Sequence, residues 1–210
     1  MVKKYSLLAV VLLAFAGGAS AQFLGQMSPA STLAPGAGKL GGYVVIHDKA
    51  TAFVGSLRYG FDPNLEGRLR LGFIDFDGPN TDPHPILGGD LKYHLWRYKE
   101  NNNPLDLSLC GGIEYASSNH FNFFGISGGV IGSIPFRLGN NTTIEPYSRL
   151  NLRYQHYSVD TDYGGGSASD LKVDLNLGAA FALTRYVDVT AEIQINDYFA
   201  LYMGVDFFTF

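Results

Sequence analysis

Asp160-Thr-Asp162-Tyr-Gly-Gly-Gly places two carboxylates on a flexible loop, an oxygen pair suited to a hard divalent cation such as calcium. The loop lacks the later ligands of a calcium-binding hand, so no metal is assigned and a solvated acidic loop is the plainer reading. Imidazoles at His84 and His120 would suit a transition metal instead. Asp75-Phe-Asp77 with Asp82-Pro-His84 supplies paired acids and a His–Asp couple, the groups that activate water against a peptide bond. Ser117 and Ser118 beside His120 supply a hydroxyl and a base for acyl transfer to lipid. Each of these needs a nucleophile and base within about 3 Å. No catalytic residue and no cofactor is assigned. Pro-Gly-Ala-Gly-Lys, from Pro35, is not a phosphate loop, because Leu33 and Leu40 stand where that loop requires Gly and Ser or Thr. Cys110 is the single cysteine, which excludes an internal disulfide and reads as a packing thiol.

The elements that must position these groups are strands. In Thr143-Ile-Glu-Pro-Tyr-Ser-Arg-Leu-Asn-Leu-Arg-Tyr-Gln-His-Tyr, one alternate row is Ile144, Pro146, Ser148, Leu150, Leu152 and Tyr154. The other is Glu145, Tyr147, Arg149, Asn151, Arg153 and Gln155. A strand sends such rows to opposite faces. The same alternation runs through Leu171–Leu183, Val187–Asn196, Leu105–Tyr115 and Leu65–Phe73. About ten such runs follow one another from residue 39, separated by turn residues. They lie near 39–47, 50–60, 65–76, 87–98, 104–116, 121–135, 143–157, 170–183, 187–196 and 198–210. A soluble sandwich also alternates, but its strands are usually about 5–6 residues long. These runs instead match the roughly 9–11 residues of a tilted membrane-spanning strand.

The ends and the charge agree with export. Lys3 and Lys4, the apolar run Leu7–Ala16 and Ala19-Ser-Ala21 form a signal peptide over residues 1–21, cut before Gln22. Its removal takes two lysines and no acid, moving the formal charge from −4 to −6, which excludes a basic nucleic-acid binder. Residues 22–38 carry no period and are expected to form a flexible leader, with room to tuck into the fold. The chain then divides into 1–21 signal peptide, 22–38 leader and 39–210 barrel.

Breaks between runs alternate in character. Asp-Pro-Asn, Lys-Glu-Asn-Asn-Asn, Arg-Leu-Gly-Asn-Asn and Thr-Arg-Tyr are tight, while the other set includes the two longest connections. An even strand number puts both termini on the tight-turn side, as in an outer-membrane barrel. The other side collects His47, His84, His120 and His156 with many aspartates, so it is expected to be an acidic outer mouth that attracts cations.

In a closed membrane barrel the pattern is inside out, with leucines toward lipid and charges toward the lumen. The lumen charges are then Arg58, Glu66, Arg68, Arg70, Asp90, Lys92, His94, Asp106, Glu114, Glu145, Arg149, Arg153, Lys172, Asp174, Asp188 and Glu192, with Asp206. Gly125, Ser127, Gly129 and Ser133 leave room for the arginines. If the hairpin folds about Tyr163 and Gly164, Arg153 stands opposite Asp174. A barrel this narrow is filled by its own side chains, so a plugged polar core is expected.

With its signal peptide, alternating strands, loop asymmetry and terminal Phe210, the chain resembles small bacterial outer-membrane β-barrels from about residue 39 onward. The resemblance implies an all-β, closed antiparallel up-and-down transmembrane β-barrel in the outer membrane. Its partners would be outer-membrane lipid and the barrel-assembly machinery, the latter reading Phe207, Phe208 and Phe210 as an assembly signal. A weak divalent cation at the outer rim completes the partner set. The family's last strand carries apolar residues at odd positions counted from the end; Phe210 and Phe208 fit, but Asp206 and Gly204 do not. The apolar row there is Leu201, Met203, Val205 and Phe207. The role implied is structural or interaction-bearing, with a narrow cation-preferring channel as the alternative. A rim enzyme is the remote one: outer-membrane proteases set their paired acids and His–Asp couple across the barrel, whereas here both pieces flank one loop.

Overall fold

The computed structural model describes residues 24–48, 50–77, 83–117, 121–138, 142–159, 166–196 and 199–208. The expected signal peptide lies outside the described residues. The strands are β1 (Gly38–His47), β2 (Ala50–Asp62), β3 (Leu65–Phe76), β4 (His84–Trp96), β5 (Asp106–Ser117), β6 (Phe121–Ser133), β7 (Phe136–Arg137), β8 (Thr143–Val159), β9 (Gly166–Ala182), β10 (Val187–Ile195) and β11 (Phe199–Phe208). Each long strand pairs antiparallel with its sequence neighbours. β1 closes on β11 from Lys39↔Phe208 to His47↔Ala200, and β6 pairs with β8 from Phe121↔Val159 to Ser133↔Tyr147. The result is a closed up-and-down barrel of 10 long strands. Closure gives both sides of every long strand a hydrogen-bonding neighbour, the condition for strands in hydrocarbon.

β7 is a two-residue remnant, split from β6 at Pro135, which has no N–H to give the ladder. β8 and β9 are each 17 residues long and pair as far as Val159↔Gly166, so this hairpin overshoots the expected length. β4 likewise starts at His84 instead of residue 87. The Lys99–Asn103 connection contains a 3-10 turn with Lys99, Asn101 and Asn102 at positive φ. Asparagine tolerates that region better than most residues, which accounts for two of the three.

Alternation decides the facing. Leu150 is 55% exposed and Leu152 50%, while Arg149 and Arg153 on either side of them are 2% and 1% exposed. Phe53, Leu69, Leu71, Phe73, Leu91 and Ile113 also project outward. The apolar row is therefore outside and the charged row inside.

The interior is not polar throughout. On β1 to β6 and β11, the inward row turns apolar toward the end away from the termini. Tyr43, Val45, Ala52, Val54, Ile74, Ile86, Phe123 and Tyr202 form a buried cluster there with Leu24 and Met27. The polar core expected from the sequence therefore shares the lumen with an apolar cluster. Both faces are apolar in Tyr43–Ile46, so alternation there cannot tell inside from outside.

Candidate functional site: the lumen and its N-terminal segment

All the charged side chains expected in the lumen lie on the inner face, Glu66, Lys92, Arg149, Arg153, Asp174 and Glu192 among the most deeply buried. Asp90, Glu145, Asp188 and Asp206 are the less buried members. They form local groups. Arg58 donates Nε to Glu66 Oε1 at 2.9 Å and Nη2 to Glu66 Oε2 at 3.0 Å, a two-pronged contact, and reaches Asp206 at 3.3 Å. Lys92 Nζ stands 3.4 Å from Glu66. Arg70 pairs with Asp90, and Lys39 pairs with Asp188 while its ammonium sits over the Phe208 ring at 3.9 Å. His94 Nε2 meets Asp106 Oδ1 at 2.9 Å. Lys172 Nζ lies 3.0 Å from Asp170.

Arg153 and Asp174 make a two-pronged pair at 3.2 Å, with Asn196 Nδ2 donating to Asp174 Oδ1 at 2.8 Å. The pair is diagonal, which corrects the expected direct opposition. Asn151 stands opposite Asp174 and Lys172 opposite Arg153, a register two residues away from the expected one.

Residues 24–33 occupy the inside of the barrel, and alternation gave no sign of it. Leu24, Gln26, Met27, Ser28, Ala30 and Leu33 are all buried. This stretch makes no strand ladder, yet several of its backbone groups find partners on the wall. Glu192 Oε1 accepts from Gln26 N at 2.9 Å and from Asn176 Nδ2 at 2.7 Å. Its Oε2 accepts from Met27 N at 2.7 Å and from Tyr147 OH at 2.6 Å. Leu33 N donates to Glu66 Oε2 at 3.0 Å, and Ala30 N to Ser133 Oγ at 3.0 Å. Ser31 and Ser133 hydroxyls both donate to Glu145, at 3.1 and 2.6 Å.

The segment's carbonyls are taken by bases. Arg70 donates to Leu24 O at 2.6 Å and also to Gly25 O, and Arg68 donates to Gln26 O. Lys92 Nζ donates to Pro29 O at 2.9 Å and Ser31 O at 2.7 Å. Tyr43 OH and Ser108 Oγ reach Leu24 O and Ala30 O. Buried backbone polar groups need such partners, and here acids meet the N–H groups and bases meet the C=O groups. Gly25 is required in this packing: it has φ +53°, and a Cβ there would lie 2.7 Å from the Tyr202 ring. The signal for this segment was indirect. Three inward cations, Arg68, Arg70 and Lys92, crowd β3 and β4, and a segment rich in small residues without a period is the part of the chain free to reach them.

The rim groups come together less. His84 packs its ring 5.8 Å from Phe76, and His47 sits edge-on to Tyr202 at 6.0 Å. His156 Nδ1 contacts Ser169 Oγ at 2.9 Å, and Ser117 Oγ donates to Asn122 at 2.6 Å. His120, Asp82, Asp160, Asp162 and Ser118 lie outside the described residues. Among the described residues, no cluster of three or more His, Cys, Asp or Glu is placed to hold a metal. Cys110 is buried beside Arg149. Of the expected assembly signal, Phe207 projects outward, Phe208 lies inward over Lys39, and Phe210 is outside the described residues. An apolar hollow of about 1100 Å³ is lined largely by outward residues including Phe53, Leu71, Phe73 and Met203.

No protein-family model and no curated protein matches the chain. Solved structures do. The β domain of the Bordetella autotransporter BrkA is 15% identical over 82% of this chain and 82% of that one, with TM-score 0.50. The N-terminal β-barrel domain of Pseudomonas aeruginosa OprF is 11% identical over 84% and 100%, with TM-score 0.40. The attachment invasion locus protein Ail of Yersinia pestis is 13% identical over 84% and 99%, with TM-score 0.32. In its closed antiparallel barrel with an apolar outside and a charged inside, the chain has the fold of bacterial outer-membrane β-barrel proteins.

Proposed function

We propose that this is an outer-membrane barrel closed to solutes by its own N-terminal segment, serving a structural or interaction role through the surfaces it exposes. One observation carries the reading: residues 24–33 run through the lumen with their backbone held by Glu192, Glu66, Arg70 and Lys92. A segment bonded at so many points obstructs the lumen, and it offsets the desolvation cost of acids and bases that would otherwise be left unpaired. Lipid is the partner of the outward face, and the barrel-assembly machinery is the partner of β11 through Phe207 and its neighbours. The acidic far end, with Asp48, Asp75, Asp77 and Asp170, would concentrate cations there, weakly bound divalents included. No catalytic step is proposed.

Planar-bilayer recording tests this reading. The mature chain is expected to be electrically silent, and the chain lacking residues 22–33 is expected to conduct. Steady current from the intact chain would favour the narrow cation-preferring channel. Silence from both would place the block in the wall side chains and overturn the assignment to the N-terminal segment.

A further inference from the structure

Where the outward row of β4 ends, the tight-turn rim holds a hollow of about 520 Å³, within the roughly 300–1,000 Å³ of small-molecule sites. It lies between the β2–β3 turn, at Pro63 and Asn64, and the 97–105 connection. Its walls differ in kind. Leu95 and Trp96 are exposed apolar side chains at the end of β4, and Trp96 pairs with Leu107 of β5. Arg97 and Glu100 line the same hollow and carry opposite charges. An apolar base under an ionic lip matches the membrane–water interface, where tryptophan is enriched.

Neither charge is consumed by its neighbours. Arg97 Nη2 donates to Pro63 O and to Asn64 Oδ1, the latter at 2.8 Å, which pins the guanidinium across the two connections. Its Nη1 has no acceptor among the described residues and is an edge open to an anion. Glu100 Oε2 stands 3.8 Å from Arg97 Nε, too far for a hydrogen bond, and an ion pair this exposed contributes little. Lys99, on the same turn with its ammonium 5.0 Å from the Tyr98 ring centre, adds positive charge beside Arg97.

A cation and a carboxylate side by side, next to outward apolar side chains, complement an amphiphile that carries a phosphate and a primary ammonium on a short link. We propose that this hollow binds the headgroup of phosphatidylethanolamine, with its phosphate on Arg97 and its ammonium on Glu100. The acyl chains then leave over Leu95 and Trp96 along the outward face. The site rests on the reading above that lipid covers that face, and it names the lipid. Phosphatidylcholine has the same phosphate, but its trimethylammonium has no N–H to give Glu100. Phosphatidylglycerol has no cation at all, so Glu100 would disfavour it.

Trp96 is the single tryptophan of the chain and lines the hollow, so its emission reports on the occupant. The exported chain is folded into phosphatidylcholine vesicles doped with one lipid brominated close to the acyl carbonyl. The dopants are phosphatidylethanolamine, phosphatidylcholine and phosphatidylglycerol, each present in both leaflets so that the barrel's orientation is immaterial. Half-quenching by the ethanolamine lipid is expected at about a fivefold lower fraction than by the choline lipid, the preference one charge-to-headgroup contact supplies. Glu100→Gln and Arg97→Gln should each remove that preference. Both residues are on an exposed connection, and unchanged quenching by the choline lipid shows that the variants fold. Glu100→Gln should also make phosphatidylglycerol the preferred lipid, because Arg97 and Lys99 then have no acid beside them.

Equal quenching by all three lipids, a wild-type preference for phosphatidylglycerol, or an ethanolamine preference that survives Glu100→Gln would each overturn the headgroup site while leaving lipid on the outward face. Trp96 emission that no brominated lipid quenches would remove the lipid-covered face and the site together.

Discussion

Arg153 and Asp174 are 1% and 0% exposed at the side chain, so their energetics depend on keeping both partners. Removing one leaves a buried charge with no counter-charge, which costs about 3–5 kcal/mol, whereas replacing both by apolar residues of like size is far less damaging. Asp174→Ala is therefore expected to lower stability by about that amount in urea titration of the folded barrel, and Asp174→Leu combined with Arg153→Met should recover much of it. An unchanged midpoint for Asp174→Ala would show that the pair holds nothing. The partnership was readable in the sequence, because period two puts both residues on the charged face. Its register was not. A hairpin shifted by one residue at the turn moves each partner by two, and nothing in Asp160–Gly166 fixes where the turn is centred.

Elements were legible in proportion to their period. β10 and β5 alternate between apolar and polar residues, and the structure places them close to their expected limits. The leader had no period, and the residues that make it part of the barrel are on other strands. Glu192 on β10 shows this: it accepts two backbone N–H groups from Gln26 and Met27 as well as Tyr147 and Asn176. Glu192→Ala is expected to strip four donors of their acceptor and loosen the segment while the barrel wall persists. Limited proteolysis should then cut within residues 24–33 many times faster than in wild type, with the 39–208 fragment remaining intact. Equal resistance of the two proteins would mean that the segment does not depend on this carboxylate.

At the scale of the whole molecule, closure and facing belong together. A barrel without open edges can lie in hydrocarbon only if its leucine rows are outside, and then its charges must be neutralised within. The N-terminal segment and the wall charges meet that second condition together, with the apolar cluster around Leu24 and Tyr202 covering the far end. The single tryptophan of the chain makes the first condition measurable. In a Trp96→Phe background, Leu150→Trp puts one fluorophore at the middle of β8 on the outward face, where Leu150 is now 55% exposed. In vesicles of lipids brominated deep in the acyl chain, its emission should be blue-shifted and strongly quenched. Red-shifted emission that bromine leaves untouched would mean that water, and not lipid, covers the leucine face, and the barrel account would fail.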